Sequence, residues 1–129
     1  MCIICQKDDL TKLVKVAIRD CYEIKNIPGL PPNVKELHID NCPKITNIQI
    51  PSYIREFKIA DCVGITTINL EKGIKTLSIA NCCQLENVQI PETVIHINIV
   101  DCGKMYKILN YAKNVEFLRL DPTIKNLVK

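Results

Sequence analysis

The chain has 129 residues, enough for one domain, and its 47% hydrophobic and 24% charged residues place it among folded rather than disordered chains. A formal net charge of +3, scattered along the sequence, argues against nucleic acid or an anionic lipid surface as partner, and 5% aromatic residues with no Trp leave few platforms for base stacking. No stretch approaches the roughly 18 apolar residues that a membrane-spanning helix needs.

Residues 1–12, MCIICQKDDLTK, precede the first repeat and are expected to cap it. Cys2–Ile3–Ile4–Cys5 is apolar and β-prone, which suits a short capping strand over an otherwise open edge. The alternative, half of a metal or redox site, lacks a second matching Cys pair. Met1–Asp9 meets the acidic pair Asp8–Asp9 at once and is not expected to be a signal peptide.

From Leu13 onward the chain repeats itself. LVKVAIRDC, VKELHIDNC, IREFKIADC, IKTLSIANC and VIHINIVDC all have the form apolar-x-x-apolar-x-apolar-x-x-Cys, and a sixth stretch, from Val115, keeps the first three anchors but has Thr123 in place of Cys. The first anchors are Leu13, Val34, Ile54, Ile74, Val94 and Val115, a period of 20 to 21 residues. Self-similarity at this period is the signature of a solenoid. The expected division is a single domain over 1–129, with repeats 13–33, 34–53, 54–73, 74–93 and 94–114 and a partial repeat with C-terminal cap over 115–129.

Each repeat carries two signals. Apolar residues two apart predict strands at Lys15–Arg19, Glu36–Asp40, Glu56–Ala60, Thr76–Ala80, His96–Val100 and Phe117–Asp121. Stacked, they form a parallel sheet with strands about 4.8 Å apart. Beyond each turn a second apolar set follows: Ile45/Ile48/Ile50, Ile65/Ile68/Leu70 and Leu85/Val88/Ile90. Its segments NIQIP, TINLE and NVQIP read as extended, so the return side is predicted to be short strands or polyproline-like segments with little helix. A helical turn is expected only at Tyr106–Lys113, in the longer fifth coil. Pro28, Pro31, Pro32, Pro51 and Pro91 stand just before the next strand, where a fixed φ is expected to stiffen the turn without removing a ladder hydrogen bond.

Two columns recur at the strand ends. Cys21, Cys42, Cys62, Cys82 and Cys102 fall once per coil and read as a stack of small buried side chains rather than disulfide partners. Free thiols fit a reducing compartment, so an intracellular, cytoplasmic location is expected. Asp20, Asn41, Asp61, Asn81 and Asp101 precede them, and such side chains accept hydrogen bonds from the backbone of a following turn. A cation-binding ladder there would lack the Gly-rich loop and oxygen density of calcium sites.

The motif L-x-x-L-x-L-x-x-C, with a further apolar residue three positions on, resembles the Cys-type leucine-rich repeat over Leu13–Leu120. The 20-residue length and the Pro-x-x-[Val/Ile] lead-in are similar to the short repeats of bacterial secreted leucine-rich-repeat effectors, with LxxLPxLP weakened to I-Q-I-P and no ligase segment following. The Ile/Asn/Lys-rich style also resembles small leucine-rich-repeat proteins of insect poxviruses and protists. Substrate receptors of ubiquitin ligases share the Cys-type repeat, but no F-box precedes it here. The resemblance implies a right-handed solenoid of about six coils, with the parallel sheet on its concave face, that binds a protein through the outward residues of that sheet.

The outward positions form three columns: Lys15, Glu36, Glu56, Thr76, His96, Phe117; Ala17, His38, Lys58, Ser78, Asn98, Arg119; and Arg19, Asp40, Ala60, Ala80, Val100, Asp121. The candidate binding residues are Glu36, His38, Glu56, Lys58, Thr76, Ser78, His96, Asn98, Phe117 and Arg119, around a centre of small residues. An enzymatic alternative would pair Cys83 with His96, but Cys83 lies past its strand and no third orienting group stands out. No catalytic residue, metal site or cofactor is expected. A second alternative is self-assembly, a homodimer through the open strand Phe117–Leu120.

Overall fold

The computed structural model describes residues 9–27 and 29–102, and the strand backbones 107–109 and 117–120. Ten strands are present, and no helix is found among the described residues. Six make the front sheet: β1 (Lys15–Arg19), β2 (Glu36–Asp40), β4 (Glu56–Ala60), β6 (Thr76–Ala80), β8 (His96–Val100) and β10 (Phe117–Leu120). Four make the back sheet: β3 (Asn47–Gln49), β5 (Thr67–Asn69), β7 (Asn87–Gln89) and β9 (Lys107–Leu109).

Every pairing is parallel, in the orders β1-β2-β4-β6-β8-β10 and β3-β5-β7-β9. The chain alternates between the two sheets, so each coil lays one strand beside its predecessor on each wall. The result is a β-solenoid. Among the described residues four coils carry a strand on both walls, and β1 and β10 extend the front wall at either end.

The space between the walls is filled by the repeat anchors. Val34, Ile54, Ile74 and Val94 are buried, as are Leu37, Phe57, Leu77 and Ile97, then Ile39, Ile59, Ile79 and Ile99. Ile48, Ile68 and Val88 meet them from the back wall. No polar or charged residue is buried among the described ones. Each such aliphatic side chain contributes about 1.5–3 kcal/mol before the entropy of ordering is subtracted, and none is enclosed by its own coil alone. The stack is therefore the folding unit.

The turns repeat as well. Pro31, Pro51 and Pro91 each accept a hydrogen bond at the carbonyl from the amide three residues on, closing the turn into the next strand at 3.1–3.2 Å. Where the third coil lacks proline, Gly73 takes φ of +120°. Side chains in this turn also stitch coil to coil. Asn33 donates to the carbonyls of Leu10 and Leu13 at 3.0 and 2.6 Å, Tyr53 donates to Leu30, and Thr93 donates to Ile74 at 2.8 Å.

One expectation is corrected. Lys107–Leu109, inside the segment expected to turn helical, is strand β9, registered Asn87↔Lys107, Val88↔Ile108 and Gln89↔Leu109. The exposed ladder of β7 templates extension there and overrides local preference. The rest of Tyr106–Lys113, the capping strand Cys2–Cys5 and the C-terminal cap 121–129 lie outside the described residues.

Candidate functional site

Parallel register carries the outward residues of the front sheet into straight rows. Glu36, Glu56, Thr76, His96 and Phe117 are successive partners, and so are His38, Lys58, Ser78, Asn98 and Arg119. All ten residues singled out from the sequence thus share one face; for Phe117 and Arg119 this is a statement of backbone register.

At the N-terminal end of the face the charges are partly spent on one another. His38 Nε2 and Glu56 Oε2 lie 2.9 Å apart across adjacent strands. Burial works to raise the Glu56 carboxyl, yet hydrogen bonding with His38 and Glu36 and the nearby Lys58 charge outweigh it and leave it below the usual Glu value. These contacts hold Glu56 ionised beside Glu36, its direct partner in register, where two bare carboxylates would repel.

Across the middle of the face the side chains shorten to Ala60, Thr76, Ser78 and Ala80, and the face sinks. Two adjacent depressions open there. One, of about 210 Å³, is lined by Arg19, His38, Asp40, Lys58, Ala60, Ser78 and Ala80, with Ile39 and Ile59 at its floor. The other, of about 220 Å³, is lined by Lys58, Thr76, Ser78, His96 and Asn98 over Leu77 and Ile97. Lys58 and Ser78 belong to both, so the two form one trough across β2, β4, β6 and β8.

Each half holds a buried oxygen without a hydrogen-bond partner, Asp40 Oδ1 in one and Asn98 Oδ1 in the other. Sequence reading placed Asn98 on the face but left Asp40 out of the candidate set. Its signal was present in the third outward column; what was missing is that Arg19, its partner in register, forms no ion pair with it.

The two structural columns differ from expectation in what they do. Asp20, Asn41, Asp61, Asn81 and Asp101 are held in place by the backbone: all five have φ between 51° and 55°, the left-handed region. Asp and Asn enter it more readily than other side chains that carry a Cβ. In that conformation the amides of Asp20, Asn41, Asp61 and Asn81 reach the last carbonyl of the neighbouring strand, on Asp40, Ala60, Ala80 and Val100, at 3.0–3.1 Å. Their side chains alternate acid and amide, and Asn41 Nδ2 donates to Asp20 Oδ1 at 2.9 Å while Asn81 Nδ2 donates to Asp61 Oδ1 at 2.6 Å.

The cysteines are buried free thiols, and they are more than fillers. The Sγ atoms of Cys42, Cys62, Cys82 and Cys102 donate to the carbonyl two residues back at 3.3–3.5 Å, closing the turn that the left-handed residue opens. Cys fits because it combines an apolar body with a weak donor. Burial pushes the Cys82 thiol up to about 12. A hydrogen bond with Cys62, with burial behind it, raises that of Cys42 well above the usual range. Cys83, by contrast, is exposed and lines neither depression, whereas His96 lines one. The pair weighed as catalytic is not brought together in the trough.

No group of three or more metal-ligating side chains occurs among the described residues, and no described helix is long and apolar enough to cross a membrane. The class defined by fold and face is a short parallel β-solenoid with a recessed front sheet. Comparison with family models, curated proteins and solved structures finds no match for the chain.

Proposed function

We propose that this chain is a protein-binding module of the leucine-rich-repeat type that takes its partner on the front sheet. The observation that supports the reading is the trough across β2, β4, β6 and β8: a recess where the outward side chains are short, with charged and polar ones lining it. Short side chains let a partner approach the sheet closely, and the polar groups lining the recess can pair with it. The rows of registered side chains give the surface its order, and the core behind it gives rigidity. Buried free thiols suit work in a reducing compartment. Neither a catalytic role nor a cofactor is part of this reading.

The test compares wild type with a variant carrying Ser78→Arg and Asn98→Glu as baits in lysate. Proteins held by wild type and released by the variant are the expected result. Identical captures, or none, would remove the front sheet as the site. A second reading, self-association, draws on β10 standing last in the front sheet's strand order. A mass that stays monomeric in light scattering at high concentration would dismiss it.

A further inference from the structure

The front strands all run the same way, so their beginnings form one edge of the sheet and their ends the other. On the entry edge Val14, Lys35, Arg55, Lys75 and Ile95 form one ladder, the amide of each from Lys35 onward reaching the carbonyl of the one before at 2.7–2.9 Å. Cations thus occupy three successive coils, with backbones about 4.8 Å apart. Lys35 Nζ donates to the Pro32 carbonyl at 2.9 Å, and Arg55 Nη1 to those of Ser52 and Gly73 at 3.0 and 3.3 Å. Among the described residues no carboxylate lies within ion-pair distance of Lys35, Arg55 or Lys75. The carboxylates nearby in sequence are engaged elsewhere, Glu92 with Lys72 at 3.3 Å and Glu71 with Gln49 at 3.4 Å.

The exit edge has the opposite sign. Asp20, Asp61 and Asp101 stand exposed there on alternate coils, with Asn41 and Asn81 between them. Asp20 and Asp61 accept from those amides, and no cation pairs with any of the three among the described residues. The other charges that follow the cysteines in these coils, Glu23, Lys25, Lys44 and Glu86, cancel. Exposed apolar side chains fall on the same two edges. The large ones among the described residues are Val14, on the entry side, and Tyr22 and Val63, each next to a ladder cysteine on the exit side. A single exposed apolar residue needs no explanation, but here they share the two edges that carry opposite charges.

We propose that each edge is covered by a second copy of this chain, the entry edge of one molecule lying against the exit edge of the next. Both edges are built from the same coils and share one axial spacing, so the copies meet coil for coil. In that register Arg55 faces Asp61, Val14 faces Tyr22, and Lys35 and Lys75 each stand one coil from two of the acids. The contact joins unlike surfaces and leaves a free edge at either end, so it builds open rows rather than closed dimers. Every front sheet in a row faces the same way, and the row presents that face many times over. Neither the trough nor β10 takes part.

The test is sedimentation velocity over a range of concentrations on wild type and two variants, each checked for an unchanged melting curve. One neutralises the entry edge with Lys35→Gln, Arg55→Gln and Lys75→Gln; if loss of Arg55 disturbs the turn, the two lysine changes alone replace it. The other neutralises the exit edge with Asp20→Asn, Asp61→Asn and Asp101→Asn, a residue type this column already holds in the left-handed conformation. Wild type should grow past dimers with concentration. Its association should weaken about tenfold as the screening length falls from about 10 Å in 0.1 M salt to about 3 Å in 1 M. Each variant alone should stay monomeric where wild type associates, and their equimolar mixture should form dimers, since each supplies the edge the other lacks. The full entry variant is the stringent one: its formal charge falls from +3 to zero, which favours non-specific association and opposes the expected loss. A wild type that stays monomeric or stops at a closed dimer, variants that associate as wild type does, or a mixture that stays monomeric would each overturn the proposal.

Discussion

Asn81 separates two explanations of the strand-end column. If the column exists because the backbone must turn left-handed there, then glycine is the tolerated substitute. If it exists for side-chain hydrogen bonds, then glycine and alanine cost the same. In the structure Asn81 has φ of 52° and donates from Nδ2 to Asp61 Oδ1 at 2.6 Å. Losing that exposed hydrogen bond costs about 0.5–1 kcal/mol in any variant. Alanine adds about 1 kcal/mol for holding a Cβ in the left-handed region, and a β-branched side chain adds more. Glycine avoids that strain but loses more chain entropy on folding, by roughly 0.5 kcal/mol. The expected order is Asn81→Gly at about 1 kcal/mol, Asn81→Ala near 2, and Asn81→Val close to 3, summing these contributions. Urea unfolding followed by far-ultraviolet circular dichroism reads them as midpoint shifts at constant slope. Glycine as damaging as alanine would refute the backbone argument.

The thiols predict both reactivity and a pH profile. Under native conditions iodoacetamide should modify exposed Cys83 and leave Cys42, Cys62 and Cys82 untouched until denaturant is added, as peptide mass mapping will show. Because the native state holds the Cys82 proton to about 12, against an ordinary value of 9.0, stability should be level below pH 9 and fall between pH 9 and 12. The slope from one such thiol is at most about 1.4 kcal/mol per pH unit, and Cys82→Ala should lessen it. Gly73→Ala should destabilise by about 2 kcal/mol or more, since φ is +120° and a Cβ would stand 2.4 Å from the Ser52 carbonyl oxygen. Gly29→Ala, with nothing within 4 Å of the added atom, should be neutral or slightly stabilising by comparison.

Much of the fold is legible in the sequence because period and alternation carry the same message. The front strands through Val100 fall where Leu37/Ile39 and their counterparts place them, since a slip of one residue would turn the apolar set outward. The back wall reads as extended from Ile48, Ile68 and Val88, but hydrogen bonding to the next coil, which makes it a sheet, is a property of the stack. Strand β9 escapes for the same reason. The left-handed column escapes because Asp and Asn have two uses, acceptor and turn-former, and residue type alone does not choose between them. The rows of the face are readable by counting. The unpartnered oxygens of Asp40 and Asn98 are not, because they depend on where the long side chains of Arg19 and Lys58 come to rest.

The alternation of acid and amide along the strand ends bears on how such a chain can lengthen or shorten. Asn41 serves Asp20, and Asn81 serves Asp61, so the coils are matched in twos. Excising one coil, residues 54–73, would set Asn41 beside Asn81 and leave Asp61 gone. Excising two, 34–73, would bring Asp20 against Asn81 and restore the match. A deletion or insertion in register with this ladder therefore keeps the match of acid and amide only when it removes or adds coils in pairs, so the unit of compatible change is twice the unit of repetition.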